Sequence, residues 1–307
     1  MLSRVADAVF WMARYMERSD NMLRSMRTNY IASQDEIPDF SWQRWMDWLC
    51  TPAAQPQVPP TYRDALQHIL LKKENDTSVL INIIRARENA RSVQDYITKE
   101  VWQCINNYFH QIRSQETENL ILFGDPVTAM DELLRESTLF YGTVDMTMSR
   151  GEGYTFLNIG KYMERLLRNL DIVELKINEL ESDGNEVIQW KYLLYALSGY
   201  EFHSKYYKNA MSTESVIDQV IMNTQFPHAI LYCLLQVERY FLRLEGISVP
   251  EHFREIQFLL GKAISNLRYG NIPLADVHHV KEFIVHTRVE IKTLSSKLAS
   301  LYFGYSN

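Results

Sequence analysis

The sequence predicts an all-α fold, a helical bundle built from two similar halves with a further C-terminal helix, and three observations carry that expectation. Apolar residues recur at helical spacing, strand-like alternation between turn residues is scarce, and a motif near the start returns about 147 residues later. Val5, Val9, Met12, Met16, Leu23 and Met26 stand three or four residues apart, with Ser19 in the missing step, and predict the first helix. Val79, Ile83, Ala86, Ala90, Val93 and Ile97 predict another. Ile159, Met163, Leu166, Leu170, Val173, Ile177 and Leu180 predict a third. In each, one face carries an apolar stripe.

Thr51 to Pro60 (TPAAQPQVPP) holds four of the nine prolines and reads as an extended connector. Further breaks are expected at Gly124-Asp125-Pro126, Gly142, Arg150 to Gly153, Asp183-Gly184-Asn185, Ser248 to Pro250 and Gly270 to Pro273. The last helix is expected at about 274–302.

The internal echo is specific. Arg14-Tyr15-Met16-Glu17-Arg18 returns as Lys161-Tyr162-Met163-Glu164-Arg165, offset by 147, and Trp42 and Leu49 return as Trp190 and Leu197, offset by 148. Asp76 to Leu80 aligns with Phe226 to Ile230, and Arg87-Glu88-Asn89 with Val237-Glu238-Arg239, both at 150. Four landmarks in one order point to halves at roughly 1–110 and 148–260, packed about a pseudo-twofold within one domain, 1–307.

Composition narrows the function classes. With 46% hydrophobic and 12% aromatic residues the chain is too apolar for disorder, and a formal charge of −6 offers no bulk positive field for nucleic acid. The first glycine is Gly124, so no phosphate-cradling glycine loop exists before it. Cys50, Cys104 and Cys233 are odd in number and scattered, which fits a reducing compartment. The N-terminus has charges where a signal peptide needs an apolar core, and runs such as Ala229 to Leu235 are too short to cross a bilayer. A cytoplasmic protein with no membrane partner is expected.

Beside the apolar stripe runs a polar one. Arg14, Glu17, Arg18 and Asn21 sit at i, i+3, i+4 and i+7, and Lys161, Glu164, Arg165 and Arg168 repeat the pattern. Arg85, Glu88, Asn89 and Ser92 share the spacing, flanked by Arg87 and Arg91, and Glu238-Arg239 completes the set. Two readings compete: interhelical salt bridges, or guanidinium groups that bind an anionic ligand or a partner's carboxylate, with Arg150 added to the second. Catalytic constellations are absent. No histidine follows a glutamate by three residues, and there is no HExxH, G-x-S-x-G or G-x-x-x-x-G-K. His278-His279 reads as a surface pair, Gly151-Glu152-Gly153 as a turn opening a helix, and Cys233 as a buried thiol. Trp42, Trp45 and Trp48 read as core or as a partner-facing patch.

Four segments, MLSRVADAVFWMARYMERSDN, RARENARSVQDYITKEVW, TMSRGEGYTFLNIGKYMER and FPHAILYCLLQVE, resemble the Alpha-E family, a bacterial helical domain named for its repeated Glu-Arg motif. The chain departs from the family with Asn75-Asp76-Thr77-Ser78, where Asn-Pro usually precedes the serine, and with Tyr154 where a tryptophan usually follows Gly153. The family motif falls on Glu17, Arg18, Arg87, Glu88, Asn89, Glu164, Arg165 and Glu238. The resemblance implies a setting in peptide or amide synthesis or modification. Its partners would be a circularly permuted ATP-grasp protein, which joins a carboxylate to an amine, and a transglutaminase-like protease. ATP and magnesium would enter only through the ATP-grasp partner, and no metal or cofactor is expected on this chain.

The expected function is therefore an accessory helical subunit with an Arg- and Glu-lined cleft for an acidic substrate or partner. Its binding residues would be Arg14, Glu17, Arg18, Asn21, Arg87, Glu88, Asn89, Arg91, Arg150, Glu164, Arg165, Arg168 and Glu238. The alternatives are an enzyme, a transferase or amidase with Glu17 or Glu164 as general base, and a scaffold that docks through Trp42 to Trp48. Oligomeric state is left open.

Overall fold

The computed structural model describes residues 1–35, 42, 45–46, 61–182, 186–208 and 210–304. The proline-rich connector, Trp48, Cys50 and the break at 183–185 lie outside them. The chain forms two compact units: an N-proximal one, Trp11–Ser149, and a C-proximal one that joins Met1–Phe10 to Arg150–Asn307. Among the described residues the structure is helical with no strand.

In the N-proximal unit, most of α1 (Ser3–Gln34) is followed by α2 (Tyr62–Leu66), which runs into one π turn (Gln67–Leu71). Then come α3 (Val79–Ser92), α4 (Lys99–Ile112), α5 (Gln115–Phe123) and α6 (Pro126–Thr147). Polar caps start them: Thr61 and Asp64 form a capping box on α2, and Ser78, Thr98, Ser114 and Asp125 cap α3 to α6. The unusual entry into α3 is ordered, because Asn75 Oδ1 accepts from the Thr77 amide at 3.1 Å and from its hydroxyl at 2.7 Å. The core is the predicted one. Met12, Met16, Leu23 and Met26 are fully buried, and Ser19 is tolerated among them because its hydroxyl bonds back to the Tyr15 carbonyl at 2.9 Å.

Two expectations need correction. The stripe from Val79 to Ile97 is not one helix: α3 ends at Ser92, Val93 turns to φ −127°, and Gln94–Tyr96 forms a 3-10 turn that carries Ile97 to the next cap. Both Val93 and Ile97 are nonetheless buried, so apolar spacing outlived the helix. Gly142 does not break the chain, but sits exposed within α6 with open space where a Cβ would point. A glycine inside a helix costs about 0.5–1 kcal/mol relative to alanine. Gly142→Ala is therefore expected to stabilise the protein by about that amount in urea unfolding.

The C-proximal unit contains α7 (Glu152–Ser182), α8 (Glu186–Ala196), α9 (Tyr200–Tyr206) and α10 (Thr213–Ile217) with its own π turn (Asp218–Met222). It continues with α11 (Ile230–Phe241), a 3-10 turn (Leu242–Leu244), α12 (Pro250–Tyr269) and α13 (Val277–Phe303). Helix α7 packs against α11 and α13, and α12 fills between the last two. The α7 stripe from Ile159 to Ile177 is fully buried, and Trp190 of α8 is buried with its indole N–H donating to Thr213 Oγ1 at 3.0 Å. The first turns of α1 cross α7 at Gly160, where a Cβ would stand 2.4 Å from the Phe10 carbonyl oxygen.

Element order recurs between the units. The starts of α2 and α10, of the two π turns, of α3 and α11, of α4 and α12, and of α6 and α13 are each 151 residues apart. The C-terminal helix thus has a positional counterpart in α6.

Candidate functional site

Each unit places its Glu-Arg segment in the middle of a long helix, α1 or α7, and the two sites are built alike. The glutamate points inward. Glu17 is fully buried and accepts a hydrogen bond from the Tyr141 hydroxyl of α6 at 2.8 Å. Glu164 is also fully buried, 3.2 Å from Arg168 one turn along its own helix. The arginines instead lie on aromatic rings. Arg14 covers Trp11 at 4.5 Å, and the Tyr15 ring is shared by Arg18 of α1 at 5.6 Å and Arg85 of α3 at 5.9 Å. In α7, Tyr162 carries Arg165 at 5.5 Å and Lys161 at 5.2 Å. A ring beneath a guanidinium holds it by charge–quadrupole attraction, and Arg14 and Arg165 are themselves buried.

The turn that enters the packed helix is held the same way in both units, by different residues. In the N-proximal unit the Asp76 carbonyl accepts from Arg85 at 2.8 Å, and the Thr77 carbonyl from the Asn82 amide at 2.9 Å, both donors lying on α3. In the C-proximal unit the carbonyls of Pro227 and His228, each 151 residues on, accept from Arg165 at 3.4 Å and Asn169 at 2.6 Å, both on α7. A guanidinium and an amide meet consecutive carbonyls in each case.

The expected set is only partly brought together. Arg14, Glu17, Arg18 and Asn21 cluster on α1, and Asn21 is fully buried with neither side-chain polar atom hydrogen-bonded. Glu164, Arg165 and Arg168 cluster on α7. Arg87 does not face Tyr15, because its guanidinium lies against α4, 2.9 Å from Asn106 Oδ1 and 4.5 Å above Phe109. Glu88 pairs with Arg87 and Arg91 on that side, at 3.3 and 3.8 Å, and is more than half exposed. Asn89 is half-buried behind them. Arg150 lies over Tyr154 at 4.1 Å, at the N-terminal end of α7, and Glu238 is half-buried on α11. Arg85, Tyr15, Tyr141 and Tyr162 were not in the expected set. An aromatic three residues before each of Arg14, Arg18 and Arg165 was the available signal for the rings. Nothing local marks Tyr141, which reaches Glu17 from 124 residues away.

A second network lies deeper on α7. Arg168 reaches Asp171 at 3.2 Å, and Arg288 of α13 reaches Asp171 at 3.0 Å and also pairs with Glu174. The Arg288 contacts join α13 to α7, whereas Arg168–Asp171 lies within α7. Burial raises the Asp171 carboxyl above its usual range, and the Arg168 and Arg288 guanidiniums offset only part of that shift. With a raised folded value, the group's contribution to stability is present at low pH and falls as pH rises through the interval above 3.8. Asp171→Asn is expected to remove that fall from the stability–pH profile, read by urea unfolding across the acid range.

Burial places the other candidate residues that the structure describes. Cys104 and Cys233 are buried thiols, and His278 and His279 are exposed on the first turn of α13. Trp45 is buried and Trp42 half-buried, while Trp48 lies outside the described residues. Among the described residues no group of three or more His, Cys, Asp or Glu side chains is placed to hold a metal ion, and no helix is long and apolar enough to cross a membrane.

A family model described as a predicted alpha-helical domain with a conserved ER motif matches residues 1–303. No curated protein and no solved structure matches the chain.

Proposed function

The chain belongs to the Alpha-E family, and on that premise we propose that it is an accessory binding subunit of a cytoplasmic peptide- or amide-forming system. It works with an ATP-grasp carboxylate–amine ligase, alongside a transglutaminase-like protease, and ATP and magnesium act only on the ligase. One observation carries the reading: in both units the arginines of the Glu-Arg segment rest on aromatic rings while the glutamate beside them is buried. Such guanidiniums are pre-organised to fork onto a carboxylate of an acidic substrate or of the partner. The matching element order, with its constant offset, supports reading the units as copies of one ancestral unit, each keeping one such site.

Glu17 and Glu164 serve this arrangement as internal acceptors. A general base must reach the proton it takes, and both carboxylates are fully enclosed. Arg18→Lys and Arg165→Lys keep the charge but lose the planar fork. In a folded protein each is expected to weaken partner or substrate binding about tenfold, the worth of about 1.4 kcal/mol. Unchanged binding and unchanged ligase turnover in both variants would contradict the reading.

A further inference from the structure

The C-proximal unit has a cleft that the Glu-Arg motif does not account for. It lies where the first turns of α1 and α7 meet the turn at 244–249, the start of α12 and the last turn of α13, and it holds about 280 Å³. Its floor is apolar. Ala6, Phe156 and Leu244 are buried, and the Tyr302 ring packs on Phe156 at 5.9 Å while its hydroxyl is enclosed beside Ser248. The rim is apolar as well. The chain passes through Gly246 at φ 78°, left-handed backbone that favours glycine, and then presents Ile247 and Val249 at 61% and 52% exposure. Ser3, Glu152 and His252 add polar groups to the lining, and Glu152 is paired with the Met1 amine at 2.6 Å.

We infer that the cleft binds a small uncharged amphiphile, an apolar body with one hydrogen-bonding head, such as a short aliphatic amide or alcohol. Volume sets the size. At about 30 Å³ for each water-sized group, 280 Å³ takes a body of about nine heavy atoms and excludes a helix or a folded partner. That places it near the lower bound of small-molecule sites, about 300 Å³. The lining sets the chemistry: apolar walls favour a body that leaves water, and Ser3 and His252 offer hydrogen bonds to its head. Charge of either sign is disfavoured, because a carboxylate would face Glu152 and an ammonium would have to displace the Met1 amine from it. A bound body would also cover the Ile247 and Val249 side chains that the turn leaves in water. The cleft shares no residue with either Glu-Arg segment, so the inference stands apart from the accessory-subunit reading.

The test is an NMR titration of the full chain, with Ile, Leu and Val methyl groups labelled, against hexanamide. Hexanoate and hexylammonium carry the same apolar body under charged heads. Hexanamide is expected to shift the methyl signals of Leu244, Ile247, Val249 and Leu301 saturably, and each charged analogue to bind about tenfold or more weakly. Ile247→Asp, at an exposed position that leaves the core intact, is expected to weaken hexanamide about tenfold or more. Met146→Asp, exposed on α6 in the other unit, is expected to leave binding unchanged. Absence of a saturable shift at these four residues overturns the site. Equal affinity in Ile247→Asp, or equal loss in Met146→Asp, overturns its placement, and hexanoate or hexylammonium binding as tightly as hexanamide overturns the uncharged ligand class.

Discussion

Gly160→Ala is expected to destabilise the C-proximal unit by about 2–3 kcal/mol, although alanine is the better helix former. The added Cβ would fall 2.4 Å from the Phe10 carbonyl oxygen and 3.1 Å from the Phe10 ring, where backbone meets backbone. Neither helix can yield cheaply. Val9 and Phe10 are fully buried on one side, and Leu157, Ile159 and Met163 on the other. The opposite sign expected for Gly142→Ala makes the pair informative, because intrinsic propensity gains about the same at both positions and only the surroundings differ. Urea unfolding of the two variants reads both effects, and a neutral or stabilising Gly160→Ala would show that the crossing is looser than described.

Loss of the Glu17 side chain is the second large effect. Glu17→Ala removes a buried carboxylate, takes away the acceptor of the Tyr141 hydroxyl's 2.8 Å bond and opens a cavity between α1 and α6, for an expected cost of about 2–4 kcal/mol. Tyr141→Phe removes one donor to the same carboxylate and is expected to cost about 1.5–3 kcal/mol, the range for hydrogen bonds to charged groups. Glu17→Gln keeps an acceptor oxygen, so it should cost less than either. A double-mutant cycle of Glu17→Gln with Tyr141→Phe isolates the coupling, and additivity of the two would contradict the contact.

The sequence made much of this legible. Apolar spacing located the long helices because a stripe at i, i+3, i+4 survives only where one face is buried, and Val9 to Met26 and Ile159 to Ile177 are buried as that rule requires. It failed where apolar spacing continued through a change of backbone, at Val93 to Ile97, and where a lone glycine was read as a break, at Gly142. The polar stripe was visible, but its sorting was not. Neighbours Arg85 and Arg87 point to different helices, α3 presenting one to Tyr15 and the other to Phe109. That choice depends on which face of α3 packs on which neighbour, and two arginines two residues apart look the same in sequence. The ring contacts of Tyr154 with Tyr240 and of Tyr162 with Tyr232 were hidden for a related reason: they join segments about seventy to ninety residues apart on antiparallel helices, a distance over which periodicity carries no information.

The most direct test of the central claim is purification of the tagged protein from its own host, with mass spectrometry of what accompanies it. The account predicts an ATP-grasp protein in stoichiometric amount, reduced when Arg18→Lys and Arg165→Lys are combined in a chain that remains folded. Recovery of the chain alone, or of a partner that the combined variant holds as tightly, would contradict it.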